Sequence, residues 1–475
     1  MNFQKIIQFS IGPVGAALLG LLTTPLLTWF FSVDDIGRYS VLQIAITFST
    51  ILFSLGLDQA FVRDFHEHNN PNQIFKIALI PGLAALILIS TTIIIFAPSD
   101  ISKRLYQLEQ WQLSIFTIIS CISAFIIRFL SLFLRMEERG LAFSLSQLLP
   151  KLLFLTQIVI LYLATREKQF EFLILLQIQT TSLIVVMFLL IYLNRVHLIP
   201  SLATSWNHDT FLKMLKYGLP LILSGIIYWV VTSTGRLALL QFSNLKELGI
   251  YSAVTSIAAG AAILSSIFNI LWAPSIYKWH KEGVNHEQLF KINAMLLALV
   301  YFICIFTSIL SWIFPLILPP TYNSIRYLLA AAVLQPLLYT LSEATSIGIT
   351  IQRKTSLSII ISLVALLTNI ILCLLLTPKL GAQGTILATA WSFWIFFILR
   401  TEISSRMWIS LPRIKMYLMT LLATLIATII AIYTPSIINL LFILTFALSA
   451  GIIAFRNQLH YLRSIFHLSN IHNQQ

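Results

Sequence analysis

Two six-residue stretches decide the reading: Asp35-Ile36-Gly37-Arg38-Tyr39-Ser40 and Glu247-Leu248-Gly249-Ile250-Tyr251-Ser252. The shared pattern is acidic, aliphatic, glycine, any residue, tyrosine, serine, repeated at an offset of 212. Each copy opens a long apolar run. The apolar run before each begins with glycine and proline, as Gly12-Pro13 and as Gly218-Leu219-Pro220. A pattern that recurs at the equivalent run of two halves predicts an internal repeat. Two six-helix units in parallel orientation would be related by a pseudo-two-fold axis along the membrane normal.

Composition says what those runs are. The chain has 475 residues, 30 Lys and Arg, 17 Asp and Glu, and a formal net charge of +13. Charged residues make up 10% and hydrophobic residues 58%, with mean hydropathy +0.89. An ordinary soluble domain has about 25% charged residues. With 17 Gly, 16 Pro and 3 Cys, collagen-like, disordered and disulfide-scaffold classes are excluded too. A nucleic-acid partner is not expected, because Lys and Arg are spread thinly instead of gathered on one face. Cys121, Cys304 and Cys373 fall in apolar runs at spacings that fit no metal motif, and read as small apolar residues. The fold class is therefore an all-α polytopic membrane protein.

A span needs about 20 apolar residues. Fourteen runs qualify, at 8–31, 39–60, 75–97, 112–134, 143–165, 171–194, 216–241, 250–274, 290–313, 326–349, 356–377, 383–402, 416–434 and 436–455. The run from Phe9 is long enough to span and has no small-residue cleavage site after it, so it reads as the first helix and not as a signal peptide. The expected organisation is an N-terminal six-helix half at 1–194, a cytosolic linker at 195–215 and a C-terminal six-helix half at 216–402. Helices thirteen and fourteen follow at 403–455, and a tail at 456–475. With the N-terminus inside, 19 Lys and Arg fall on the cytosolic side and 8 outside. The positive-inside rule then puts both termini in the cytoplasm.

Arg128, Lys151 and Arg236 lie within spans, as does Glu343, while Asp58 sits near a span's inner end. An intramembrane charge faces protein, water or an interface. Arg128 shares a helical stripe with Thr117, Ser120, Cys121, Ala124 and Ser131; Glu343 shares one with Ala332, Gln335, Pro336, Tyr339, Thr340 and Ser346. Small polar stripes of this kind predict cavity lining, and a position 212 residues after Arg128 falls one turn from Glu343, so the two are expected to meet. Glu343 then reads as a structural partner or an ion-coupling group. Asp58 reads as an interfacial residue paired with Arg63. Lys151 is open between snorkelling and cavity lining. The cationic balance favours an anionic ligand, with Arg suited to phosphate. Pro13, Pro25 and Pro220 are hinge candidates.

These features together resemble the O-antigen and polysaccharide flippases of the multidrug/oligosaccharidyl-lipid/polysaccharide exporter superfamily. The residues that carry the resemblance are Gly12-Pro13, Ile36-Gly37-Arg38-Tyr39-Ser40, Thr234-Gly235-Arg236-Leu237, Leu248-Gly249-Ile250-Tyr251-Ser252, and Asn369 followed by Thr377-Pro378-Lys379-Leu380-Gly381-Ala382-Gln383-Gly384. Gly235 departs from the acidic residue that such proteins often place before the arginine. The resemblance implies a transporter, not an enzyme, that flips an undecaprenyl-pyrophosphate-linked oligosaccharide across the bacterial inner membrane by alternating access. It also implies helices thirteen and fourteen as a hold for the polyprenyl tail; the cationic balance itself marks Arg128 and Arg236 as expected substrate contacts, with Lys151 a weaker third. A glycan polymerase and a chain-length regulator are the protein partners it implies. No cofactor or metal is expected, and proton or sodium coupling is left open. The alternatives are a lipid II flippase, a cation-coupled drug exporter and, from another class, a membrane glycan polymerase or glycosyltransferase. The last would need a large outer loop with catalytic carboxylates or arginines, and the outer loops here are short.

Overall fold

The computed structural model describes residues 3–65, 68, 70–167, 169–265, 268, 272, 276, 286–352 and 354–458. Most of the last third of the expected eighth span, Lys168, Lys278, Lys281, Arg353 and Arg463 lie outside them. Every regular element among the described residues is helical. In chain order these are α1 (Phe3–Phe30), α2 (Val33–Ser54), α3 (Leu57–Asp64), α4 (Pro71–Phe96), α5 (Asp100–Tyr106), α6 (Trp111–Met136), α7 (Gly140–Thr165) and α8 (Phe172–Leu193). They continue with α9 (Arg195–Ala203), α10 (His208–Phe242), α11 (Leu245–Ala258), α12 (His286–Leu310), α13 (Ile325–Thr345), α14 (Thr355–Met407), α15 (Arg413–Tyr433) and α16 (Ile437–Ala454), with short 3-10 and helical turns between some of them.

Among the described residues, twelve helices are long and apolar enough to cross a membrane. One of them, α14, has 53 residues, which at 1.5 Å per residue is about 80 Å, against a hydrocarbon core of about 30 Å. Gly381 divides it, with φ 54° and ψ −131° inside an otherwise helical run. Counting its two arms separately and adding α1, whose apolar part is Val14–Phe30, gives the fourteen spans read from the sequence. Several boundaries differ by a few residues, and one of them has a local cause. The second span was expected to reach residue 60, but α2 stops at Ser54 because Leu55 and Gly56 both adopt left-handed φ, 50° and 67°. The chain restarts as α3.

The repeated hexapeptide is the first turn of two capped helices. Ser32 Oγ accepts from Asp35 N at 3.1 Å at the start of α2, and Asn244 Oδ1 accepts from Glu247 N at 2.9 Å at the start of α11. The acidic residue of each copy is thus the third residue after an N-cap, where it also faces the positive end of the helix dipole. From there the copies diverge. Asp35 pairs with Arg38 at 2.6 Å, whereas Glu247 Oε2 accepts from Ala382 N at 2.9 Å and so caps the second arm of α14.

The chain divides into two compact units, Met1–Arg236 and Leu237–Gln475. The division lies inside α10, one element beyond the 195–215 connection. The part of α10 up to Arg236 is fastened to α2 and α3: Trp229 Nε1 donates to Ile44 O at 3.3 Å, and the Arg63 guanidinium lies 3.8 Å from the Tyr217 ring centroid. Gly218 and Gly56 bring their backbones into direct contact, so that a Cβ on either would collide with the other.

Within the first unit, phenylalanines 61, 75, 125, 129 and 133 form a fully enclosed core with Leu57. On another side, α1 and α7 approach through small residues, as apolar helices do when packing and not water exclusion holds them together. Gly12 N donates to Ser144 Oγ at 3.1 Å, and a Cβ on Gly12 would lie 2.8 Å from Ser144 Cα. Gly12→Ala should therefore force the two backbones apart at a cost of about 1–3 kcal/mol. A lowered melting temperature of the purified variant in detergent would show it, and an unchanged one would remove the close-packing account. Pro25 and Pro220 lie inside α1 and α10, each an unbroken helix. Pro13 is also within α1, but its side chain lies outside the described set.

In the second unit α13 is the most enclosed span. Thr345 and Thr401 hydroxyls bond at 2.7 Å, and Gly348 N donates to Ser404 Oγ at 3.0 Å. The last two helices dock on this unit through polar pins. Trp394 Nε1 donates to Thr420 Oγ1 of α15 at 3.2 Å, and Tyr301 OH to Ala447 O of α16 at 2.8 Å.

Candidate functional site

In the first unit, Arg128 on α6 donates from NH2 to Asp58 Oδ2 at 3.1 Å. The Asp58 side chain is 10% exposed and that of Arg128 44%, so the carboxylate is enclosed while the guanidinium opens outward with donors to spare. The left-handed break at Leu55 and Gly56 puts Asp58 in the first turn of α3, where the helix dipole favours its negative charge. Arg63 was expected to satisfy Asp58. It pairs instead with Asp64, Nε to Oδ1 at 2.5 Å.

The stripe that Arg128 shares on α6 is a packing surface rather than a cavity wall. Thr117, Ser120 and Cys121 are buried. The Ser120 hydroxyl bonds Thr180 of α8 at 2.9 Å, and Thr117 bonds Tyr106 at 2.8 Å. Small polar residues at helical spacing serve close helix contact as readily as they line water, and the accessible part of the stripe is its end, Ala124, Arg128 and Ser131. The bulky face behaves as its composition demands, with Phe125 and Phe129 in the core.

Lys151 on α7 directs Nζ to the carbonyl of Ala16 on α1 at 2.8 Å. Gly20, one turn on, leaves the space the ammonium occupies. Arg236 is the last residue of the first unit and is half-buried, and its Nε is enclosed without an acceptor among the described residues.

In the second unit, Glu343 on α13 accepts from Arg400 NH1 on α14 at 2.6 Å, and the same nitrogen donates to Ser342 Oγ at 3.0 Å. The side chains are 25% and 14% exposed. Arg128 and Glu343, expected to approach each other, each have an opposite charge inside their own unit. Gln335, on the Glu343 stripe, borders a cavity of about 10 Å³ with Tyr251, Thr255 and Thr389, room for about one water. Thr340 on the same stripe is buried against the Ser265 hydroxyl.

A family model described as "Polysaccharide biosynthesis protein" matches residues 3–280, more than half of the chain. The chain belongs to that family. Among solved structures it is similar to "Lipid II flippase MurJ, inward closed conformation", with TM-score 0.69 and 14% identity over 95% of this chain and 100% of that one. It also resembles a multidrug resistance MATE family transporter of the MOP superfamily. The inward-facing form gives TM-score 0.53 with 16% identity over 84% of this chain and 95% of that one. The outward-facing form gives 0.51 with 16% identity over 85% and 95%. At such identities the likeness is one of fold. No curated protein matches in sequence.

Each unit thus holds one intramembrane ion pair, Arg128–Asp58 in the first and Glu343–Arg400 in the second, while Lys151 and Arg236 stand apart from them. Two participants escaped sequence reading. Arg400 was counted among cytosolic charges, being at the end of a span, yet its side chain reaches back one helix diameter to Glu343. Glu247 was seen only as part of the repeat; its second role at Ala382 needs Gly381 to turn the chain toward it. The glycine before Gln383 was the available signal, since a glycine shortly after a proline inside an apolar run marks a break.

Proposed function

We propose that the protein moves an oligosaccharide linked to undecaprenyl pyrophosphate from the cytoplasmic to the periplasmic leaflet of the bacterial inner membrane, by alternating access and with both termini in the cytoplasm. The observation that carries this reading is Arg128. It is an exposed guanidinium within a spanning helix, held by one carboxylate and with donors left over, in a family concerned with polysaccharide. A fixed, partly neutralised guanidinium can take two oxygens of a pyrophosphate through its planar fork. Arg236, with an unmatched Nε, is the second proposed contact, and Lys151 a weaker third because Ala16 already holds its ammonium. Any coupling proton would act by competing with Arg128 for Asp58 or with Arg400 for Glu343. A glycan polymerase and a chain-length regulator are the proposed downstream partners.

Deleting the gene should abolish surface glycan while the lipid-linked unit still forms and stays on the cytoplasmic leaflet. Absence of the lipid-linked unit itself, with neighbouring genes intact, would instead mark a synthetic enzyme. In complementation at equal protein level, flipping should rank wild type, Lys, then Gln at Arg128 and at Arg236, with Gln about tenfold down, roughly the effect of one lost charge-assisted hydrogen bond. Lys151→Gln should do less harm. Full activity of the Arg128→Gln, Arg236→Gln double variant would sink the cationic contact. The likeness to the lipid II flippase fold over 95% of this chain supports one further reading, in which the cargo is lipid II. A deletion strain that lyses, instead of growing without surface glycan, would favour it.

A further inference from the structure

The link between α12 and α13 holds an arginine with an uncommon setting. Its 3-10 turn at Ser311–Ile313 places Trp312 beside the first turn of α13. The guanidinium carbon of Arg326 lies 4.6 Å from the Trp312 ring centroid and 4.7 Å from that of Tyr327. The two rings meet edge to face, 6.0 Å apart at 83°. Ser311 Oγ donates to Arg326 O at 2.7 Å and fixes the backbone beneath. This end of the second unit is the one that the Lys and Arg count places outside.

Three of the other cations on that side have carboxylates. Arg38 pairs with Asp35, Lys103 with Glu109 and Arg104 with Asp100. Arg326 has no acidic partner among the described residues. Its Nε and the Trp312 Nε1 are both enclosed without an acceptor. Both groups can only donate, so two unsatisfied donors and one uncompensated charge belong to side chains in direct contact. Clamping between rings holds the guanidinium in one pose and lowers the entropy lost when it binds an anion. On the helix and turns that lead into and out of Trp312, Phe306, Leu310, Ile313 and Leu316 are exposed, Leu316 at 83%. Donors on a segment that also exposes large apolar side chains fit an amphiphile better than a free ion.

We propose that Arg326 and Trp312 form a binding site for the phosphate headgroup of a lipid in the outer leaflet, with the acyl or prenyl chain lying along Phe306, Leu310 and Leu316. Two lipids carry that chemistry, the pyrophosphate-bearing cargo after it has been flipped and a resident anionic phospholipid. The inference rests on the flippase reading only for the first of these. It would then be the site that receives the headgroup on the release side.

The test is native mass spectrometry of the purified full chain with undecaprenyl pyrophosphate and, separately, with phosphatidylglycerol. Wild type, Arg326→Gln, Arg326→Lys and Trp312→Phe are compared. All four are repeated in an Arg128→Gln, Arg236→Gln background, which removes the contacts proposed above. Arg326→Gln should lower occupancy by at least one of the two lipids about fivefold in both backgrounds. Trp312→Phe keeps the ring clamp, loses one donor and should lower it about twofold; Arg326→Lys should fall between. A loss confined to undecaprenyl pyrophosphate assigns the site to the cargo, and one confined to phosphatidylglycerol assigns it to a resident lipid. Unchanged binding of both lipids in Arg326→Gln overturns the proposal, including where that variant is merely less stable, since the clamp would then be a structural anchor. If the Arg128, Arg236 background leaves binding intact while Arg326→Gln still reduces it, the flippase contacts fail and this site stands.

Discussion

Glu343→Ala is expected to destabilise the second unit by about 3 kcal/mol, the lower end of what removing one partner of a buried ion pair costs. Both side chains are less than a third exposed and the nitrogen–oxygen distance is 2.6 Å. Loss of the carboxylate leaves the Arg400 guanidinium with Ser342 Oγ at 3.0 Å and the Phe396 ring, 5.1 Å from its carbon, as its neighbours. Arg400 Nε is already enclosed without an acceptor, so the charge has little else to turn to. Glu343→Gln keeps an acceptor and should cost less. The double variant Glu343→Met, Arg400→Met removes both charges together with their desolvation, and should lie near wild type or above it. Melting temperatures in detergent across the cycle decide the matter. Additive losses would mean that the two residues do not act as a pair.

Gly381→Ala should be at least as damaging, for two independent reasons. A φ of 54° with ψ of −131° is backbone that residues with a Cβ avoid, at a cost of about 1–3 kcal/mol. An added Cβ would also lie 2.5 Å from Glu247 Oε2 and 2.8 Å from its Cδ. The carboxylate would have to withdraw from Ala382 N, giving up a hydrogen bond to a charged acceptor of about 1.5–3 kcal/mol. The sum, about 2.5–6 kcal/mol, is large enough to remove most monodisperse protein from a size-exclusion profile. Glu247→Ala isolates the second contribution and should do less. If Gly381→Ala elutes and melts like wild type, the break in α14 is not under the constraint described.

Much of the scaffold could be read from residue order. Apolar runs of about 20 residues have one stable solution in a bilayer, so the span count and the repeat at Asp35 and Glu247 followed from local pattern alone. The break after α2 did not, because Leu55 carries no turn signal and Gly56 alone is weak. The charge partners were the least legible. Arg128 pairs with Asp58 inside the first unit and Glu343 with Arg400 inside the second, since a charge takes an opposite charge within reach of its side chain, and reach depends on helix rotation that a stripe of small residues does not fix. The stripe on α6 failed for the same reason: Ser120 and Thr117 are equally suited to Thr180 or Tyr106 as to water. Arg326 was visible only as one more outer cation, its aromatic clamp being a product of the turn at Ser311.

The bond from Glu247 to Ala382 also has a consequence in time. The acceptor leaves the ribosome 135 residues before its donor, and chains entering a membrane are delivered from the N-terminus. While α11 is inserting, its carboxylate has no helix end to meet. The hairpin around Gly381 must then arrive with its first amides uncovered and dock onto a helix already in place. Assembly of the second unit therefore closes late, at a joint made by one carboxylate and one glycine. Damage at either should appear first as a nascent protein left open to quality-control proteolysis, before any loss of transport by mature copies.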